Sequence, residues 1–205
     1  ITTFAGTKER YKPIKKETTA KKKTHPLKTI KILCRNKYFI LITLAFAVIY
    51  TSLGLTGGSR IYYAKYVLGD EMLNSTMTMF NYIPTILTIM LIPVFTKRFG
   101  KIKALFVGFL FYAAGLVLEI AGPVNLPMIY TGLVLQGIGH AALYSCLFAI
   151  VGDVVDYSEW KDGIREEGIT YSVTSFGQKI GTGLGTAALG WILAAGHYDG
   201  TAAVQ

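Results

Sequence analysis

Long uncharged runs alternate with short polar ones along this chain. The apolar runs lie at about 38–63, 72–96, 102–121, 128–155 and 169–196. Each is long enough to cross a bilayer core, which takes about 20 helical residues. Without water, a spanning backbone must satisfy its own polar groups, which a helix does within one segment. The pattern predicts an all-α membrane protein with five transmembrane helices in a bundle over 37–198. Residues 1–36 form a separate polar segment containing KERYKPIKKETTAKKKTHPLK, too poor in apolar residues to fold alone. Residues 199–205 form a short external tail or the start of a further loop.

Charge orients the bundle. More than half of the 21 Lys and Arg residues fall between Ile1 and Lys37, so the net charge of +9 is mostly a property of that segment. Cytoplasmic loops are enriched in Lys and Arg. A cytoplasmic linker at 1–36 puts the basic turn KRFGKIK (Lys97 to Lys103) and the charged stretch after the fourth span inside. YVLGDEMLNS and GPVNLP, which have no basic residue, then lie outside. The linker has only Phe4 and Tyr11 as aromatics, too few for a base-stacking platform, so no nucleic-acid partner is expected. Cys34 and Cys146 suggest no disulfide framework. The first residue is Ile and no signal-peptide pattern precedes the first span, so the sequence reads as a fragment.

Polar residues inside the apolar runs are the candidate chemistry. Arg60 lies near the outer end of the first span, where it either faces a cavity or snorkels to the interface. Asn81, Thr85 and Thr88 form a stripe on the second span, which Pro84 and Pro93 bend. The third span is apolar apart from Tyr112 and Glu119 and is expected to face lipid. On the fourth, Gln136, His140 and Tyr144 recur at every fourth position, which stacks them on one helix face as a cavity wall. His140 there is either a substrate contact or a hydrogen-bonded packing residue. The fifth has two faces. Ser172, Ser175, Lys179, Thr182 and Thr186 form a polar stripe, and Gly177, Gly181 and Gly185 a packing ridge about 200° away. An ammonium at midspan is costly without a partner or a water-filled cavity, which makes Lys179 a functional candidate.

The fourth and fifth runs are joined by a dense charged stretch, GDVVDYSEWKDGIREEG, starting at Gly152. Asp153 and Asp156 sit at a helix carboxyl end, where the helix dipole disfavours them. They need cations, and Lys161 and Arg165 are near in sequence. These residues, with Glu159 and Glu167, are expected to form a cytoplasmic gate whose ion pairs break when the inside opens. The stretch DVVDYSEWKDGIREEG followed by YSVTSFGQK resembles the signature of the glycoside/pentoside/hexuronide cation symporters, the melibiose permease family within the major facilitator fold. The resemblance runs from about Asn36 to Tyr198. It implies the carboxyl-terminal half of a twelve-helix carrier, with the equivalents of helices seven to eleven and without the first six or the last.

The resemblance also implies roles. Lys179 matches a lysine beside the cation site and sugar pocket, whose carboxylates belong to amino-terminal helices. Thr174, Ser175 and Gln178 match positions implicated in sugar contact, with different side chains. Tyr144 stands where melibiose permease has a tryptophan in the sugar pocket. The implied activity is symport of a sugar or glycoside with sodium or a proton, in a bacterial-type cell membrane, with membrane lipids and the amino-terminal half as partners. No cofactor is implied. Metal-ligand spacings, nucleophile triads and phosphate or dinucleotide loops are missing from the sequence, so an enzyme is not expected. The alternatives are a related facilitator for another solute or lipid, and a non-transporting sensor or truncated remnant.

Overall fold

The computed structural model describes Leu33, residues 36–163, Arg165 and residues 167–198. The linker expected over 1–36, apart from Leu33 and Asn36, and the tail expected over 199–205 lie outside the described residues. Among the described residues there are five long α-helices and no strand: α1 Lys37–Tyr62, continued by a π-helical segment Tyr63–Val67, α2 Leu73–Phe99, α3 Lys101–Ala121, α4 Leu126–Asp162 and α5 Glu167–Ala195.

Local chemistry sets several of their ends. The Asn36 side chain caps α1 by accepting from the Tyr38 amide at 3.0 Å. Asn125 does the same for α4, with Pro127 in the first turn, where a missing amide costs nothing. At its far end α4 runs well past the expected membrane boundary and stops at Gly163, whose φ of +65° is the left-handed conformation that glycine adopts without strain. Asp153, Asp156, Glu159 and Lys161 therefore stand on the last turns of a helix rather than in a loop.

Helix α4 is the centre of the bundle. Over its apolar stretch 56% of residues are buried, against 11–22% for the first three helices. Helix α3 packs against it antiparallel: a side chain added at Gly108 would strike Ala142, and one at Gly115 would strike the Gly132 carbonyl. The third span thus has one face closed on α4, which corrects the expectation that it is wholly lipid-facing. Helix α2 runs parallel to α4, and Asn81 Nδ2 donates to the Leu133 carbonyl at 3.1 Å. The Thr85 hydroxyl lies 3.0 Å from the Gly137 carbonyl. These bonds put the predicted α2 stripe inside the bundle. Lipid is as apolar as a leucine side chain, so close backbone contact and interhelical hydrogen bonds, rather than hydrophobic burial, hold such helices together.

Helix α1 crosses α4 near its cytoplasmic end, where Phe39, Ile42 and Phe46 bury against Leu147, Val151 and Val154. Helix α5 then lies along α1. Four helices, α1 with its π-helical continuation and α2 to α4, are long and apolar enough to cross a membrane by length and composition, with mean hydropathy of 1.6–2.1. Helix α5 falls outside that set because its Ser, Thr, Gly and Lys residues dilute the apolar ones. Its place beside the others comes from packing. Gly177 meets Thr43, Gly181 meets Ala47, and Gly185 meets Thr51 and Leu55, so the two helices run parallel over several turns. An added Cβ at Gly181 would lie 2.5 Å from the Ala47 carbonyl oxygen, so only glycine allows this approach.

Candidate functional site: a polar cavity and an unpaired lysine

Four helices line a cavity of about 230 Å³ that is open on one side. Helix α1 contributes Tyr50, Leu53, Gly54, Thr56, Gly57 and Arg60; α2 contributes Asn81 and Tyr82; α4 contributes His140 and Tyr144; α5 contributes Thr182. Its aromatic wall is continuous. The Tyr144 ring lies 6.3 Å from that of Tyr50 and 5.6 Å from the His140 imidazole. Tyr112 of α3 backs His140 at 4.9 Å. Such rings give hydroxylated ligands apolar faces to stack on, while phenol, amide and guanidinium groups give hydrogen bonds. His140 and Tyr144 therefore share one cavity, and Arg60 faces it rather than only snorkelling. His140 is 6% exposed and its Nε2 has no hydrogen-bond partner.

The residues of α5 divide between two environments. Lys179 and Ser175, with Tyr171, Ser172 and Phe176, line an open cleft of about 420 Å³. Lys179 makes no ion pair among the described residues. Its stripe reaches the four-helix cavity only through Thr182. Gln178 is half-buried, and its backbone carbonyl accepts from the Thr182 hydroxyl at 3.0 Å. Thr174 lies on the other side. It is fully buried on the glycine face, and its hydroxyl lies 3.1 Å from the Thr170 carbonyl and 3.0 Å from that of Tyr171. Thr174 falls three residues before Gly177, on the face that closes against α1.

The cytoplasmic charges pair differently from their order in sequence. Asp153 is held by Lys101, at the start of α3, at 2.6 Å, and the same ammonium also donates to the Ala149 carbonyl at 3.2 Å. Arg165 gathers three acids: Asp156 at 3.2 Å, Glu159 at 2.5 Å and Glu167 at 2.5 Å. Hydrogen bonds to Glu159 and then Glu167 raise the guanidinium pKa above its ordinary value. Lys161 makes no ion pair among the described residues; its ammonium sits 5.8 Å from the Tyr157 ring centre, a cation–π contact. Beneath the cluster, buried Asn36 donates to Ser158 at 3.0 Å and ties the start of α1 to the α4 extension.

Sequence reasoning missed three contributors. Tyr50 could have been found, because it shares a helix face with Gly54 and Gly57 at i, i+4 and i+7. Lys101 was read only as a topological marker. Glu119 was passed over as a lone acid, yet it lines a second cavity with Arg60 and Gln136.

The sequence is similar to those of known transport proteins. A family model described as MFS/sugar transport protein matches residues 1–205. The chain is 32% identical over 198 residues to an isoprimeverose transporter of Lactiplantibacillus pentosus, covering 95% of this chain and 40% of that protein. It is 32% identical to a putative sulfoquinovose importer of Salmonella typhimurium, over 88% of this chain and 38% of the relative. A glucuronide carrier protein homolog of Escherichia coli is 28% identical over 83% of this chain and 38% of its own length. The chain thus spans about two fifths of the length of the curated relatives it matches. It is an integral membrane protein of a transport family rather than an enzyme family, and it belongs to the MFS/sugar transport proteins, among the glycoside/pentoside/hexuronide symporters that its charged stretch and Lys179 resemble.

Proposed function

We propose that this chain is the carboxyl-terminal half of a secondary active carrier that moves a sugar or glycoside together with sodium or a proton by alternating access. The observation that carries the reading is the division of α5. One face packs on α1 through glycines, and the other leaves Lys179 open and without an ion-pair partner within the described chain. An intramembrane ammonium needs a counter-charge, so its partner comes from the amino-terminal half, across a path that admits water. Lys179 then exchanges ion pairs as the cation enters, which couples cation occupancy to solute binding. Ser175 and Gln178 stand beside it, and the aromatic cavity at His140 and Tyr144 receives sugar rings. The relatives' printed names, isoprimeverose, raffinose, glucuronide and sulfoquinovose among them, support a hydroxylated solute.

At the inner surface, Asp153, Asp156, Glu159, Arg165 and Glu167 form a charged rim that holds the inside closed against the other half, with Lys101 as an added member and Lys161 as a neighbour on the Tyr157 ring. The carrier resides in a bacterial-type cell membrane with the linker on the cytoplasmic side, and it needs no cofactor beyond its coupling ion.

The test uses the full-length carrier in proteoliposomes, with a panel of labelled sugars and glycosides and an imposed sodium or proton gradient. Wild type accumulates at least one solute above equilibrium. Lys179→Gln abolishes accumulation while sparing solute exchange. Gradient-driven accumulation that survives this substitution removes the coupling role, and failure to take up any sugar removes the substrate class.

A further inference from the structure

We propose that the π-helical segment Tyr63–Val67, which continues α1, is an outer lid: seated on α2 and α4 in this structure, it lifts to connect the outer cavity with the external solution. This rests on the reading of the chain as half of a carrier and adds a moving part to it.

The seam between α1 and α4 changes along its length. At the inner end Phe39, Ile42 and Phe46 bury against Leu147, Val151 and Val154, and buried Asn36 bonds to Ser158. The ring centres of Phe46 and Phe148 are 5.1 Å apart, and one turn further out those of Tyr50 and Tyr144 are 6.3 Å apart. Beyond them the seam parts around two cavities that share Thr56 and Arg60, the aromatic one and an outer one of about 460 Å³. Tyr63 of the segment, Met77 of α2 and Pro123 of the turn between α3 and α4 are among the walls of the outer cavity.

At the outer end the segment closes the seam again, by different means. Ala64 has no exposed surface and sits against Met77, Ile129 and Leu133, with Tyr63 and Leu68 partly buried beside it. Its other contacts are polar and exposed. The Tyr63 hydroxyl donates to the Pro123 carbonyl, the Tyr66 and Tyr198 hydroxyls lie 2.8 Å apart, and Lys65 pairs with Glu71 at 2.8 Å. A region with few buried apolar contacts and solvent-exposed hydrogen bonds opens before a packed one. The inner cluster is therefore the pivot and the segment the part that yields, as a lid must.

The winding supplies the movement. The Leu68 amide bonds to the Tyr63 carbonyl at 3.2 Å, five residues back, where an α-helix bonds four back. Such π turns are rare and recur at functional sites. Rewinding this one as α-helix rotates the end of the segment by about 100° against α1, which breaks the contact between Tyr66 and Tyr198 and unseats Ala64. Gly69 follows at a φ of +76°, with no atom within 4 Å of an added Cβ, so the next turn has room to take up the change.

The experiment reads thiol access beneath the segment, in the full-length carrier with its native cysteines replaced. Met77→Cys, at a site 2% exposed, is compared with Met72→Cys, at a site 80% exposed, using a membrane-impermeant reagent on the outer face of vesicles. Position 77 should react at least tenfold more slowly than 72. Tyr63→Phe, which removes only the hydroxyl, and Ala64→Leu, which overfills the seat, should each raise the rate at 77 at least threefold. Thr174→Cys should stay unreactive in both variants, which reports an intact fold. Adding whichever labelled sugar of the panel is taken up should shift the rate at 77 at least twofold. Equal rates at 77 and 72, no response to either variant, a parallel rise at 174, or no shift with a transported sugar overturns the lid alone. A response at 77 to both variants without uptake of any sugar keeps the lid and removes the carrier reading.

Discussion

Two glycine seams run through this bundle, and they serve opposite ends. Between α3 and α4, Gly108, Gly115, Gly132 and Gly139 bring the helices together at the centre of the molecule, and α4 is buried on most sides. Between α1 and α5, Gly54, Gly181 and Gly185 make an equally close contact, but only one face of α5 is closed. The polar residues behave accordingly. Those near the first seam point inward: Asn81 and Thr85 are buried and bonded to α4 carbonyls. On α5, Ser175 and Lys179 point outward and line an open cleft. The same packing device therefore yields a structural core on one side and, on the other, a helix held firmly at its back so that its front can present a charge.

Overfilling the second seam should have the larger effect. A Cβ at Gly185 would collide with the Thr51 carbonyl and lie 2.8 Å from the Leu55 amide, backbone atoms that cannot step aside. Gly185→Leu is expected to destabilise the bundle by about 1–3 kcal/mol, the usual range for overpacking, and to lower the yield of folded carrier in detergent. Gly177→Ala on the same ridge meets Thr43 at an ordinary 3.4 Å and should be tolerated. Equal damage from both would mean that the seam is not the close contact described here.

The cytoplasmic pairs should respond least. Lys101 and Asp153 are 2.6 Å apart, but their side chains are 38% and 56% exposed, so solvent screens most of the attraction. A double-mutant cycle with Lys101→Ala and Asp153→Ala should return a coupling of about 0–1 kcal/mol in thermal stability. A much larger coupling would show that this rim is structural in its own right.

Periodicity carried a good deal of this. The glycine ridge and the lysine stripe of α5 are properties of one helix, and spacing alone separates the two faces. The burial of Thr174 was legible in the same way, since it lies on the ridge. What spacing could not supply is partnership between distant segments. Asp153 takes its cation from 52 residues away, across a helix packing that local charge order does not encode, whereas Arg165 and its acids lie within one turn region and were readable. Arg60 stayed ambiguous because its direction depends on where α2 and α4 stand. The extent of α4 was underestimated for a different reason: the charges looked like a loop, yet helix propensity persists until Gly163.

The most direct measurement of the central claim is chemical access along α5. In the full-length carrier with Cys34 and Cys146 replaced by serine, single cysteines at Thr174, Ser175 and Lys179 are exposed to a membrane-impermeant thiol reagent in vesicles of both orientations. The account predicts modification at 175 and 179 and none at 174, because one face is solvated and the other is sealed by glycine packing against α1. Modification at 174 as fast as at 179, or none at 179 from either side, would contradict it.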